Sequence, residues 1–183
     1  MNRYFNFKSP LIVAAMLALP LAQAATMSKA EYKADKTRIS ADYKADKAAC
    51  APLSGNAKDI CVEEAKAREK VARAELEYNY SGKPGDQTKV LMAKAKSAYA
   101  VAKEKCDDKT GNDKDICVKE AKAVETKALA DAKMGKQIGE AKKDASEDKR
   151  DADYKVAVEK CDAMAGDAKA SCIAAAKAKF GKT

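Results

Sequence analysis

The feature that most constrains this chain is a pair of cysteines separated by ten residues, which occurs three times at a nearly constant spacing. A tyrosine precedes each first cysteine by seven positions, a glycine follows it by five and a lysine by eight. Matches at so many offsets identify an internal repeat. The cysteine pairs are Cys50 with Cys61, Cys106 with Cys117, and Cys161 with Cys172.

Each repeat predicts a helical hairpin that is closed at its tip. Residues seven apart share one face of a helix, so the tyrosine and the first cysteine indicate a helix that enters the cysteine. The following glycine, such as Gly55, can take the left-handed conformation that ends a helix. Asn56, Asn112 or Asp167 comes next and favours the start of a second helix. The second cysteine then lies about one turn into that helix, close to the first.

The six cysteines are interpreted first as three local disulfides. Because every repeat contains its own pair, bridges within repeats are favoured among the 15 pairings that six cysteines allow. Closing a loop of about 12 residues stabilises by roughly 3 kcal/mol in the chain-entropy treatment. Two alternatives stay open, in which reduced thiols bind a soft metal such as Cu(I) or Zn(II) or take part in thiol exchange.

The repeated lysines and tyrosines are the other candidate site residues. Lysines near a helix N-terminus, where free amides already favour anions, could contact phosphate, or they could be solvated first-turn residues. The tyrosines could stack a ligand, or they could pack against the disulfide at each tip. The lysines are Lys58, Lys114 and Lys169, and the tyrosines are Tyr43, Tyr99 and Tyr154.

The fold class predicted is all-α, with three tandem disulfide-tipped hairpins that are elongated or loosely stacked. Turn-forming residues in Ser81–Asp86 mark the break between the first two hairpins. The second break, near Gly135 and Gly139, lacks a proline, so the helix could run on there with a bend. We therefore expect hairpin repeats at 25–80, 87–135 and 136–183, with a linker at 81–86.

The segment 1–24 is typical of an export signal. Arg3 and Lys8 precede the apolar run Leu11–Leu21, and Ala22-Gln23-Ala24 offers the small residues of a cleavage site. The alternative is a retained membrane anchor, but a run of about 11 residues is well short of the roughly 20 needed to span a bilayer. We expect cleavage near Ala25, a periplasmic or secreted protein, and oxidising surroundings for its thiols.

Composition excludes several classes of function. The chain has no His, which removes the commonest general base and metal ligand, so we expect no enzyme, no cofactor and no metal site. Its net charge of +8 falls to about +6 without the signal segment. Acidic and basic residues alternate along the predicted helices, without the one-sign stripe and interleaved aromatics of nucleic-acid binding. We therefore expect no nucleic-acid partner and no membrane span after cleavage.

Three segments of the chain resemble a family of small exported proteobacterial proteins that often carry the label cell envelope biogenesis protein TolA. The segments are SGNAKDICVEEAKAREKVARAELEY (54 to 78), YAVAKEKCDDKTGNDKDICVKEAKA (99 to 123) and ASEDKRDADYKVAVEKCDA (145 to 163). The resemblance to TolA itself covers only the composition of its helical stalk. It implies an exported envelope protein and no catalytic residues.

Three functions are consistent with these observations. The first is a non-enzymatic structural or interaction protein of the cell envelope, with envelope proteins as partners. The second is a salt-sensitive binder of anionic envelope polymers or lipid head groups, which the positive charge suggests. The third is a periplasmic metal or thiol buffer, which requires free thiols.

Overall fold

The computed structural model describes residues 27–182, which form five helices and no strand. The all-α prediction is therefore confirmed, together with the disulfide-tipped hairpins. The predicted signal peptide at 1–24 lies outside the described residues. The helices are α1 (Lys29–Ala49), α2 (Gly55–Ser81), α3 (Pro84–Cys106), α4 (Gly111–Cys161) and α5 (Gly166–Phe180).

The helix ends follow from local chemistry. At the start of α1, the hydroxyl of Ser28 accepts from the backbone N–H of Glu31, and the Glu31 carboxylate accepts from the backbone N–H of Ser28. This reciprocal capping box satisfies two amides that would otherwise lack a partner. Between α2 and α3, Gly82 has a φ of 62° and Pro84 occupies the first turn of α3. A left-handed glycine followed by proline forces a reversal, and only Gly82 and Lys83 of the predicted linker 81–86 lie outside the helices.

The hairpin tips have one geometry, as the repeat predicts. Each first helix ends at or next to the first cysteine of its pair. The glycine five positions later has a φ of 56° in every tip. Residues other than glycine are strained in this conformation. The second helix starts at that glycine, one residue before the predicted cap. The glycines are Gly55, Gly111 and Gly166.

α4 runs as one helix of 51 residues through the second predicted boundary, between residues 135 and 136, which is the continuous helix that the sequence left open there. The repeat period aligns Gln137 with Gly82 and Gly139 with Pro84. Gln137 would be strained in the left-handed conformation, and Gly139 keeps the backbone N–H that a proline lacks. α4 therefore serves as the second arm of one hairpin and the first arm of the next.

Only helices that follow one another in the chain pack together among the described residues: α1 with α2, α2 with α3, α3 with α4, and α4 with α5. Since α1 does not touch α3, the two lie on different sides of α2 and no common core forms. The part that we call the four-helix layer consists of α1, α2, α3 and residues 111–132 of α4. Its buried apolar residues are few and mostly small: Ile39, Cys50, Ala65, Leu76, Val90, Ala95, Cys106 and Ala132.

The far half of α4 leaves this layer. Residues 133–150 are all exposed, and α5 packs only against the final part of α4, where Lys182 bonds to Asp151. The helix has 51 residues. At a rise of about 1.5 Å per residue, its two ends are separated by about 75 Å. Of the two arrangements left open by the sequence, the structure is the elongated one.

Candidate functional site: the disulfide-closed hairpin tips

The three tips are closed by the disulfides predicted within each repeat. Their Cα atoms are 5.7 Å apart in every pair. This separation is typical of a bridge between adjacent backbones. The first cysteine of each pair is fully buried, and no cysteine in the described part of the chain is free. Because every sulfur is bonded to another, none is available as the thiolate that metal binding or thiol exchange requires. The bridges are Cys50–Cys61, Cys106–Cys117 and Cys161–Cys172.

The repeated lysines lie in ion pairs within two of the three tips. Nζ of Lys114 is 3.0 Å from a carboxylate oxygen of Asp107, and Lys169 makes the same 3.0 Å contact with Asp162. Each aspartate directly follows the first cysteine. The first repeat has Ala51 at that position, and Lys58 is exposed without an ion pair among residues 27–182. Two of the three predicted lysines, Lys114 and Lys169, are thus already paired with a carboxylate of their own tip.

The first two tips lie side by side, while the third is remote. The side-chain amide of Asn56 donates to the backbone carbonyl of Glu104 at 3.1 Å and to the carboxylate of Asp108 at 2.7 Å. These bonds join the start of α2 to the end of α3 across the antiparallel pair. The sequence suggested Asn56 as a helix cap and missed this contact, because it depends on how two repeats pack. The Cys161–Cys172 tip stands at the other end of α4.

The three repeated tyrosines do not form one ligand-stacking row. The Lys122 ammonium lies 4.8 Å from the centre of the Tyr99 ring. Cation–π attraction operates at this distance. The Tyr154 ring meets Phe180 edge to face, with centroids 6.1 Å apart. The helical rise places Tyr154 about 48 Å beyond Lys122 along α4. Each of these two rings therefore packs against the opposing arm of its own hairpin.

Hydrogen bonds perturb a few ionisable groups at helix ends and on helix surfaces. The hydrogen bond to the Lys89 ammonium, and a second one to the Ser81 hydroxyl, lower the pKa of Asp86. The hydrogen bond to Glu125 raises the pKa of Lys122, which keeps the ion above Tyr99 charged. The hydrogen bond between the Tyr32 hydroxyl and Glu77 raises the pKa of Tyr32. All of these shifts strengthen the charge state already present at neutral pH, so none prepares a group for proton transfer.

The concave features of the layer are open grooves between neighbouring helices. One of them lies between α2 and α3, has a volume of about 670 Å³, and has Val71, Ala98 and Val101 in its lining. Ser97 is buried beside it, and its hydroxyl lacks a hydrogen-bond partner within residues 27–182. Nothing in the sequence pattern predicted this groove, since it is formed by alanine and valine from two repeats.

Residues 27–182 contain no group of three or more His, Cys, Asp and Glu side chains placed to hold a metal ion. None of the five helices has a stretch of sufficient length and hydropathy to cross a membrane.

Comparison of the chain with protein-family models, curated proteins and solved structures found no match. The resemblance to exported envelope proteins accordingly stays a prediction. Disulfides are typical of oxidising compartments, which agrees with an exported protein.

Proposed function

We propose that this protein is a non-enzymatic structural protein of the cell envelope, exported to an oxidising compartment, that holds two binding ends apart. The observation that carries the proposal is the single helix α4, which joins the four-helix layer to a remote hairpin. Interaction surfaces at both ends of a rigid spacer let one molecule contact two partners at a fixed separation. The three disulfides support the oxidising compartment.

The details of α4 fit a spacer. Ion pairs one turn apart, between Lys136 and Glu140 and between Lys143 and Glu147, run along its exposed part. Such pairs each stabilise an isolated helix by a few tenths of a kcal/mol. A helix that is polar on all sides is expected to bridge between bodies through solvent.

The third function considered, a metal or thiol buffer, needs reduced cysteines. All six sulfurs are paired, and the first sulfur of each pair is buried, so the disulfides favour a structural role for the cysteines. The second function, binding of anionic groups, is compatible with a spacer.

Small-angle X-ray scattering tests the shape on which the proposal depends. A compact domain of about 159 residues has a radius of gyration of about 15 Å. A body extended along a helix of about 75 Å should exceed roughly 20 Å. A radius as small as that of a compact domain would mean that the remote hairpin folds back, and the spacer proposal would fail.

Deletion and complementation test the role in cells. We expect a deletion strain to lose envelope integrity under osmotic, detergent or acid stress, and the wild-type chain to restore it. Removing residues 140–146 shortens α4 by about 10 Å while nearly preserving its rotational phase, since seven residues make almost two turns. We expect this variant to fail, while Gly135→Ala with Gly139→Ala, which keeps the length, should complement. An unaffected deletion strain, or full complementation by the shortened chain, would contradict the proposal.

A further inference from the structure

The four-helix layer has two faces with different charge. One, the paired face, carries three ion pairs that cross between neighbouring helices. The arginine Nε of Arg68 on α2 is 2.8 Å from a carboxylate oxygen of Asp46 on α1. The other two join α2 to α3, at 2.7 Å from Lys94 to Glu75 and 2.9 Å from Lys105 to Glu64.

The opposite surface is the lysine face. A helix turns by about 100° per residue, so Lys70 is about 200° from Arg68 on α2, and Lys96 is about 200° from Lys94 on α3. Lys70, Lys89 and Lys96 surround one shallow depression between α2 and α3, whose floor includes Met92. Three cations from two helices thus lie on the side away from the crossing ion pairs. Lys70 and Lys89 are in ion pairs within their own helices, with Glu63 and Asp86, and Lys96 is unpaired.

α1 extends the same division of charge. Asp35, Asp42 and Asp46 share the side of α1 that meets Arg68, because they are spaced by seven and four residues. The lysines of α1 recur at spacings of three and four and lie on the same side of the helix as Ser40. The Ser40 hydroxyl accepts a hydrogen bond from Arg73 at 3.0 Å, and this contact lies beside the lysine face. These lysines are Lys29, Lys33, Lys36, Lys44 and Lys47.

The two faces also differ in how their cations are neutralised. On α1, α2 and α3, the bases of the paired face are all in ion pairs: Arg38, Arg68, Lys94 and Lys105. On the lysine face, seven exposed lysines have no ion pair within the described range: Lys29, Lys33, Lys36, Lys44, Lys47, Lys96 and Lys103. Within α1, α2 and α3, the unpaired lysines therefore lie mainly on one of the two surfaces.

We infer that the lysine face docks on a flat anionic lipid surface. The layer is one helix thick, so these cations lie on one side of it, over about 40 Å, which is the length of α2. Point charges spread over a broad face suit many head groups at once, whereas a single polymer strand would favour a groove. Each lysine near an anionic leaflet strengthens binding about fivefold, so several unpaired lysines suffice for reversible attachment. This inference does not depend on the spacer role of α4.

Vesicle co-sedimentation tests the inference. The full chain, purified with its disulfides intact, is mixed with vesicles of 30% phosphatidylglycerol in phosphatidylcholine, and with pure phosphatidylcholine. We expect binding only to the anionic vesicles, and its loss at high salt, because the Debye length falls from about 14 Å at 50 mM to about 4 Å at 500 mM. Equal binding to neutral vesicles, or no binding to anionic ones at the lower salt concentration, would overturn the inference.

A pair of matched variants separates the face from the net charge. Four substitutions remove lysines of the lysine face: Lys33→Gln, Lys44→Gln, Lys96→Gln and Lys103→Gln. The control removes four lysines elsewhere on α4 and loses the same charge: Lys127→Gln, Lys142→Gln, Lys143→Gln and Lys149→Gln. At about fivefold per lysine, the first variant should bind at least a hundredfold more weakly, while the control should stay within a few-fold of wild type.

Two outcomes of this comparison would refute the inference. Equal losses in the two variants would mean that net charge, not the lysine face, drives binding. Retention of a soluble anionic polysaccharide through the lysine face, without vesicle binding, would assign the face to a polymer. All eight lysines are exposed, so circular dichroism should show the same helix content in both variants, and it serves as the check on folding.

Discussion

Removal of the Cys161–Cys172 bridge should release α5 while leaving the rest of the molecule folded. For a loop of about 12 residues, the chain-entropy treatment assigns the bridge about 3 kcal/mol, or about a hundredfold in the local equilibrium. The remaining contacts at α5 and just after it are small: buried Ala176, Phe180 packed on Tyr154, and the ion pair of Lys182 with Asp151. An aromatic pair contributes about 0.5–1.5 kcal/mol, a buried methyl about 0.8 kcal/mol and a half-exposed ion pair a few tenths of a kcal/mol, which together fall short of the bridge.

Hydrogen exchange of Cys161→Ala with Cys172→Ala measures this directly. We expect amides in α5 to lose nearly all protection, while those of α2 and α3 keep theirs. The matched control is Cys106→Ala with Cys117→Ala, which opens a loop of the same length. There α3 should stay docked, because it packs against both α2 and α4. Wild-type protection of α5 in the first variant would refute the reasoning, since it would mean that packing alone holds the third hairpin.

Three further predictions concern helix ends and the continuity of α4. Ser28→Ala should destabilise the start of α1 by about 1 kcal/mol, seen as faster exchange in its first turn with α5 unchanged. The Ser28 hydroxyl and backbone bonds lower the pKa of Glu31 from 4.5, so this cap should be present above pH 4.5 and be lost as the pH falls through the lowered value. Glu31→Gln should remove this pH dependence of hydrogen exchange in α1. A pH profile that is the same in the variant as in the wild type would contradict the prediction. Gly139→Pro should cost about 3 kcal/mol and bend or break α4, lowering the radius of gyration, whereas Gly139→Ala should leave it unchanged.

The local architecture could be predicted because it depends on short-range chemistry. The tyrosine, cysteine and glycine offsets predicted hairpins with local bridges, and these are the bridges that form. The glycine at each tip, such as Gly111, was expected in the left-handed conformation and adopts it. Lys114 and Lys169 were predicted only as residues near a helix start. Their aspartate partners lie seven positions earlier, across the tip, so these ion pairs could be recognised only from the geometry of the turn.

The sequence by itself determined the hairpins and the pairing of the cysteines, because each depends on residues within about a dozen positions of one another. The predicted caps Asn56, Asn112 and Asp167 were wrong, since the second helices start one residue earlier, at Gly55, Gly111 and Gly166. Only the tertiary structure decided that α4 is continuous, since the sequence near Gly135 and Gly139 left open both a break and a helix that runs on. It also decided the division of charge. Acidic and basic residues alternate along each helix, but the packing of α1, α2 and α3 turns most of their lysines toward one side, where seven are unpaired, and leaves Lys94 and Lys105 on the other.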